Sequence, residues 1–359
     1  MNKLTRLYFE ACKELHLNPV EIAEIHGFQF TLGKKSYFFR KGATPFNNIS
    51  AASIAMNKYS TNLLLNSHHI PVPKAFGITR SEYQQGLLDI SHLQFPLVIK
   101  PCWDSSSGKG VICNIPTLAN LKQLLKHSFQ KKKAICIEEF QVNLRSYRVL
   151  VFNGEVIGLL ERIPAHVVGD GHHTISQLIE IENVRRRILN KKLPYGPLKM
   201  NEETDYIFKE RGINANYVPH LDEKISILYV CNSGAGGTTV GLSLKNICCE
   251  NKQIAVRAAK ILDLHLVGLD FLCEDISKPI TQTRGFVIEA NAAPDISIHE
   301  NTPYGEVAQV SSIIMKKFIY QNLFSYCVQR CHGKYALIII KTLVVLAIII
   351  GTGKALSAF

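Results

Sequence analysis

Two short apolar runs of this chain each carry a carboxylate, and burying a charge in a strand limits what the chain can fold into. Residues 285–294, Gly-Phe-Val-Ile-Glu-Ala-Asn-Ala-Ala-Pro, read as a buried strand. Successive strand side chains alternate faces, so Glu289 and Asn291 share one face and present a carboxylate beside an amide oxygen. Residues 266–273, Leu-Val-Gly-Leu-Asp-Phe-Leu-Cys, form a second apolar run with Asp270 inside it, where a charge is costly unless paired or metal-bound. Oxygen donors from two neighbouring strands suit a hard cation, and Mg2+ needs only one or two carboxylates when phosphates complete its shell. Asp270, Glu289 and Asn291 are therefore the candidate metal ligands. Residues 285–294 alone also read as an ordinary sheet strand ending in an Asn turn.

Phosphates require positive charge and backbone N–H donors. Residues 95–100, Phe-Pro-Leu-Val-Ile-Lys, form a strand ending in Lys100, and residues 104–111, Asp-Ser-Ser-Ser-Gly-Lys-Gly-Val, follow as a Gly/Ser-rich loop. Such a loop lets main-chain amides approach phosphate oxygens without Cβ interference. It lacks the Gly-Lys-Ser/Thr ending of a P-loop. Taken alone it also reads as a hairpin.

With these elements the chain resembles the ATP-grasp carboxylate–amine ligases, most closely the ATP-grasp region of cyanophycin synthetases. It is also similar to glutathione synthetase-like and ribosomal-protein-modifying ligases. The resemblance runs over residues 56–317 and is densest in Tyr-Arg-Val-Leu-Val-Phe-Asn-Gly-Glu-Val (147–156) and Glu-Arg-Ile-Pro-Ala-His-Val-Val-Gly-Asp-Gly-His-His-Thr (161–174). Gly-Gly-Thr-Thr-Val at 236–240, Asp-Ile-Ser-Lys-Pro at 275–279 and Glu-Ala-Asn-Ala-Ala-Pro at 289–294 match in the same order. The resemblance implies an α+β ATP-grasp fold, two α+β lobes gripping ATP, with ATP and one or two Mg2+ ions (or Mn2+) as cofactors. It implies Lys58 and Lys100 as nucleotide-phosphate lysines. Ser105, Ser106, Ser107, Gly108, Lys109 and Gly110 would form a flap over the phosphates, and Glu138, Glu139 and Phe140 a hinge whose backbone pairs with adenine. Arg148 and Arg162 would face phosphate or the acyl intermediate, and Asn232 and Gly237 would line the site.

The implied reaction is attack of a carboxylate on the γ-phosphate to give an acyl phosphate, from which an amine displaces phosphate. Catalysis of this kind rests on positioning and charge, so lysines, arginines and metal matter more than a side-chain nucleophile. Two departures bear on it. Ser146 stands where relatives place a ribose-binding carboxylate, and Asp-Ile-Ser-Ile-His at 295–299 puts an acid where relatives carry Gly and a basic residue before His. The long N-terminal region and Mur-ligase-like domain of cyanophycin synthetases have no counterpart in these 359 residues, so a two-site polymerase is not expected. The alternative class is a nucleotide-binding or regulatory protein that keeps the shell without turnover. A third reading is a ligase acting on a protein or cell-envelope peptide.

The expected organisation is an N-terminal element at 1–50 with a helical pattern at 4–15 and a hairpin at 28–40. An ATP-grasp domain follows at 51–320 (flap lobe about 95–140), then a basic linker at 321–334 and an apolar helix at 335–353. Residues 183–222, polar and basic, are expected to cap the site as helix and loop. Forty-one basic against 29 acidic residues give a formal charge of +12. The clusters at 131–133, 185–187 and 191–192 are not interleaved with aromatics, so they read as solvated faces and nucleic acid is not the expected partner. The ten cysteines form no Cys-x-x-Cys pair and no signal sequence precedes the first helix, as for thiols in a reducing cytosol. Cys327, Cys331 and His332 lack a fourth metal donor nearby; a juxtamembrane cysteine also invites lipidation.

Residues 335–353 are nearly all apolar, about the ~20 residues a helix needs to cross a bilayer, with only Lys341 interrupting near one end. Arg330, His332 and Lys334 before it place the chain on the cytoplasmic face of a membrane. A C-terminal helix packed on the ligase or on a partner is the alternative. The sequence thus leads to a tail-anchored ATP-dependent ligase acting on small-molecule or peptide carboxylate and amine substrates, with self-association among the expectations.

Overall fold

The computed structural model describes residues 1–103, 110–189 and 196–330 and positions 338, 341, 342, 345 and 346. It divides into two compact units, Met1–Pro45 with the residues from Ser311 on, and Phe46–Val310.

The first unit opens with α1 (Lys3–Glu14), started by Asn2, whose side chain accepts from the Thr5 N–H. Three antiparallel strands follow, β1 (Val20–Ile22), β2 (Gly27–Leu32) and β3 (Lys35–Arg40), in the order β1-β2-β3. Alternation buries one face, on which Phe28 stacks on Phe39 with ring centroids 4.7 Å apart and Phe30 on Tyr37 at 5.3 Å. The β2–β3 turn needs Gly33, whose φ is +63°.

The second unit begins with α2 (Ile49–Met56) and α3 (Lys58–Ser67). Next come β4 (Ala75–Thr79), α4 (Arg80–Gln84), β5 (Leu97–Pro101), β6 (Ile112–Ile115), α5 (Leu118–Lys131) and β7 (Ala134–Glu139). These strands make an antiparallel sheet in the order β4-β7-β5-β6. Leu121, Leu125 and Phe129 recur every four residues on α5 and pack on Leu97, Ile99, Ile135 and Ile137.

The chain continues through β8 (Arg145–Phe152), β9 (Glu155–Ile163), β10 (His166–Val168), α6 (Ile175–Leu189), α7 (Glu202–Arg211), β11 (Lys224–Ser226) and β12 (Thr238–Leu242). It then forms α8 (Cys249–Ile261), β13 (Leu266–Cys273), β14 (Gly285–Asn291), α9 (Ser297–Glu300) and β15 (Tyr304–Gly305). A six-stranded sheet runs β14-β13-β8-β9-β12-β15. One face carries Tyr147, Val149, Val267, Leu269, Phe271 and Val287 into the core with Ala255, Ala258 and Ala259 of α8. The helices α6 and α7 gather around the β10–β11 pair in a core of their own, the helix-and-loop region expected at 183–222.

After β15 come α10 (Val310–Gln321) and α11 (Leu323–Arg330), which belong to the first unit from Ser311 on. Phe318 of α10 meets Phe30 and Tyr37 edge-on at 5.8 and 4.8 Å. The stretch expected as a linker from residue 321 therefore contains a helix. A C-terminal apolar helix is expected from the sequence at 335–353. Among the described residues no helix is long and apolar enough to cross a membrane, and that run lies outside them apart from five positions.

Phe271 is fully buried, one residue from Asp270 and on the opposite face. Phe271→Ala should destabilise the second unit by about 3–5 kcal/mol through lost burial and the cavity left behind, measured as a lowered midpoint in denaturant unfolding.

Candidate active site

The other face of the six-stranded sheet is charged. Cross-strand register sets Glu289 of β14 opposite Asp270 of β13, and Asp270 opposite Arg148 of β8. Arg148 Nε lies 2.6 Å from Asp270 Oδ1, an ion contact not aligned as a hydrogen bond, while its Nη2 donates to Oδ2 at 3.2 Å. Arg162 of β9 donates to Asp270 Oδ2 at 2.7 Å. One buried carboxylate thus holds two guanidinium groups. Burial pushes the Arg148 guanidinium below its ordinary value despite Asp270. For Arg162 burial also acts downward, but Asp270 outweighs it and the net shift is upward.

The lysines approach from elsewhere. Lys58, the first residue of α3, is placed by Asn57, whose side chain caps Ser60 N–H at 2.9 Å, and its ammonium donates to Glu289 at 2.8 Å. Lys100 on β5 pairs with Glu138 on β7 at 2.7 Å, both side chains nearly buried. Burial works against the Lys100 ammonium, but Glu138 and its neighbours outweigh it and raise it. Burial would raise the Glu289 carboxyl, yet Lys58, Lys100 and Arg148 hold it below its ordinary value.

These groups line one cavity of about 540 Å³, together with Asn291, Asn232, Glu139, Phe140 and Ser146. Asn291 Nδ2 lies 3.5 Å from the Gly268 carbonyl, and the Asn232 side chain accepts from Gly234 N–H at 2.8 Å. Gly237 packs against the backbone of Asn232 and Ile163, with no room for a Cβ. The N–H of Glu139 donates to Lys74 O and that of Phe140 to Pro96 O, so neither N–H is available to a base in this arrangement. Gly110, with φ +78°, packs beside Pro101, while Ser105, Ser106, Ser107, Gly108 and Lys109 lie outside the described residues.

Two carboxylates and an amide oxygen on one wall fit a hard cation whose remaining ligands are phosphate oxygens. Among the described residues no group of three or more His, Cys, Asp or Glu side chains gathers to hold a metal unaided. Asp270 is the most encumbered of the three, with two guanidinium partners already.

Sequence reasoning missed several participants. Asn47 ties the two ligand strands together: its Nδ2 donates to Leu266 O and Ala292 O, both at 2.7 Å, and its Oδ1 accepts from Leu266 N–H at 2.9 Å. Tyr229 borders the cavity and meets Phe140 edge-on at 5.3 Å. Cys231 lines it beside Arg162, its thiol pushed by burial up to about 11. Gly268 makes room for Arg148, because a Cβ there would overlap the guanidinium. Only the small residues at 158 and 268 within apolar runs hinted at close approach. Asp295 lines the cavity exposed, one oxygen accepting from Ser297 N–H and Oγ at 2.9 and 2.6 Å.

Residues 55–170 match the RimK-like ATP-grasp domain. Over those residues the chain is similar to an ATP-grasp domain. Among curated relatives it is 29% identical over 273 residues to the cyanophycin synthetase of Crocosphaera subtropica, covering 75% of this chain and 31% of that protein. It is 28% identical over 273 residues to the bifunctional glutathione biosynthesis protein of Desulfotalea psychrophila, covering 74% and 34%. The chain thus spans about a third of the length of these ligases. A bifunctional glutathione synthetase from Pasteurella multocida superposes with a TM-score of 0.60 at 22% identity, over 89% of this chain and 44% of that one, which shows the shared fold.

His299 is fully buried, and neither ring nitrogen meets a hydrogen-bond partner among the described residues. Gly158 lies against its Nδ1, where a Cβ would come within 2.8 Å. Burial first, and then the Arg148 charge, push its value from 6.5 down to about 3. The folded state therefore keeps His299 neutral where the unfolded chain takes a proton. The stability it contributes is fully present above pH 6.5 and is lost as pH falls toward 3. Over that window the wild-type unfolding free energy should carry an extra slope of about 1.4 kcal/mol per pH unit, absent from His299→Asn, measured by denaturant titration at several pH values.

Proposed function

We propose that the chain is an ATP-dependent ligase that joins a carboxylate to an amine through an acyl phosphate, forming a peptide or isopeptide bond. The observation behind this reading is the convergence of Lys58, Lys100, Arg148 and Arg162 with Asp270, Glu289 and Asn291 on a single cavity. Its relatives carry the names cyanophycin synthetase and glutathione biosynthesis bifunctional protein, which fit this reading. In this reading the substrate carboxylate attacks the γ-phosphoryl group of ATP and ADP leaves. The amine then attacks the acyl carbon, and phosphate departs as the C–N bond forms.

Each cation has a role that follows from its placement. Lys58 and Lys100 exchange Glu289 and Glu138 for phosphate oxygens, moving a charge from one anion to another with little new desolvation. Arg148 and Arg162, fixed by Asp270, face the charge that grows during transfer. Glu289 and Asn291, with Asp270, would hold Mg2+, which when bound neutralises phosphate oxygens.

A further part of the reading rests on sequence. The apolar run at 335–353 makes a tail anchor that keeps the ligase at the cytoplasmic face of a membrane. Deleting residues 333–359 should move the protein from the membrane to the soluble fraction, and unchanged fractionation would sink the anchor. A second reading, nucleotide binding without turnover, is favoured by Ser146, a small neutral group on the cavity wall paired in register with Arg162.

ADP release with Mg-ATP, measured against pools of amino acids, dipeptides and acidic peptides, decides between the two. Release should depend on a pool and fall on the order of 100-fold or more in Glu289→Gln. Retained activity in that variant would mean the ligand set is misassigned. ATP binding with no release in any pool would favour the second reading.

A further inference from the structure

The helix α11 is fastened the reverse of the usual way. A surface helix normally turns its apolar stripe to the core and its polar face to water. Here Ser325, Tyr326 and Gln329 face the β2–β3 hairpin and the end of α1. Tyr326 Oη donates to Leu15 O at 2.9 Å, Gln329 Nε2 donates to Thr31 O at 3.0 Å, and Gly33 N–H donates to Gln329 Oε1 at 3.1 Å. Ser325 packs beside Gly33. The apolar residues point the other way: Leu323 is 45% exposed, Phe324 64% and Val328 41%, and Tyr320 at the end of α10 extends the row at 73%. Leu323, Phe324 and Val328 share one side of α11, and Tyr320 precedes them at the end of α10. No residue of α11 is buried.

We propose that this stripe beds into the headgroup region of a lipid bilayer and makes a second membrane contact for the unit that carries it. The inference rests on the tail-anchor reading, not on the ligase reading. Four residues, and so five backbone steps, separate Arg330, the last residue of α11, from Tyr335, where the apolar run begins. Fully extended, they reach at most about 17 Å, so an inserted tail holds the end of α11 close to the headgroups. The surroundings suit an anionic surface, since Lys316 on α10 and Arg330 at the end of α11 are both exposed. The pattern of an apolar stripe with cationic flanks is that of interfacial helices, and one short stripe binds only marginally alone. It therefore orients a unit already tethered. A second copy fits less well, because a stable pair needs about 800 Å² per partner and would set these cations against one another.

The test uses the full chain with Trp103→Phe and Phe324→Trp, which leaves one indole, on the stripe, because the chain has a single tryptophan. The protein is bound to vesicles of phosphatidylcholine with a minority of phosphatidylglycerol, carrying bromines shallow or deep on the acyl chains. The expected result is a blue shift of the emission on vesicles and a larger loss of intensity with shallow than with deep bromines. Red, unquenched emission from protein that co-sediments with the vesicles overturns the proposal while leaving the tail anchor standing. Failure to co-sediment overturns both. Blue emission without lipid also overturns it, and its dependence on protein concentration tells a second copy from the chain's own tail as the occupant.

Discussion

Everything at the site depends on Asp270 being held between two arginines. It lies inside a strand whose other side chains are almost all buried and apolar, where a lone carboxylate could not remain ionised without great cost. The sheet resolves this through register, setting Arg148 directly across on β8 and bringing Arg162 from β9. Taking away one member of such a buried group costs about 3–5 kcal/mol because the others are left uncompensated. Asp270 is thus a scaffold for the two guanidinium groups before it is anything else. Drawing it toward a cation would require a new anion for the arginines, and a phosphate supplies one.

Room for that arrangement comes from residues with little or no side chain. Gly268 pairs with Leu150 on one side and Asn291 on the other, and its missing Cβ is the space Arg148 occupies. Gly158, opposite Leu150 on the next strand, does the same for His299. Asn47 then clamps the start of β13 to the chain just beyond β14 with three hydrogen bonds, so the two carboxylate strands keep their relative register. A bulge between Asp270 and Phe271 adjusts the pairing at the point where Glu289 turns to the cavity.

The two lysines show a different economy of charge. Lys58 with Glu289 and Lys100 with Glu138 are close, largely buried pairs, so the cavity already balances its cations internally. Low dielectric strengthens each pair, so a lysine leaves its carboxylate only for another anion brought to the same point. Asp295 stands apart from this balance: among the described residues that line the cavity, it is an exposed carboxylate bonded to Ser297 rather than to a cation.

Much of this was legible in one dimension. The alternation around Glu289 and Asn291, the charge inside the run at 266–273, the strand leading to Lys100 and the motifs at 147–174 each depend only on local spacing, which the backbone period of a strand turns directly into a shared face. The same local rules marked the helix of residues 3–14 and the hairpin that follows it. What only the tertiary structure decided was partnership. That Lys58 meets Glu289 across 231 residues, that Asn47 bridges two strands far along the chain, and that α11 turns its polar side inward are consequences of which elements pack together. No periodicity encodes those contacts, because the cost of a buried charge or an open carbonyl is settled by whichever group the folded chain brings within bonding distance.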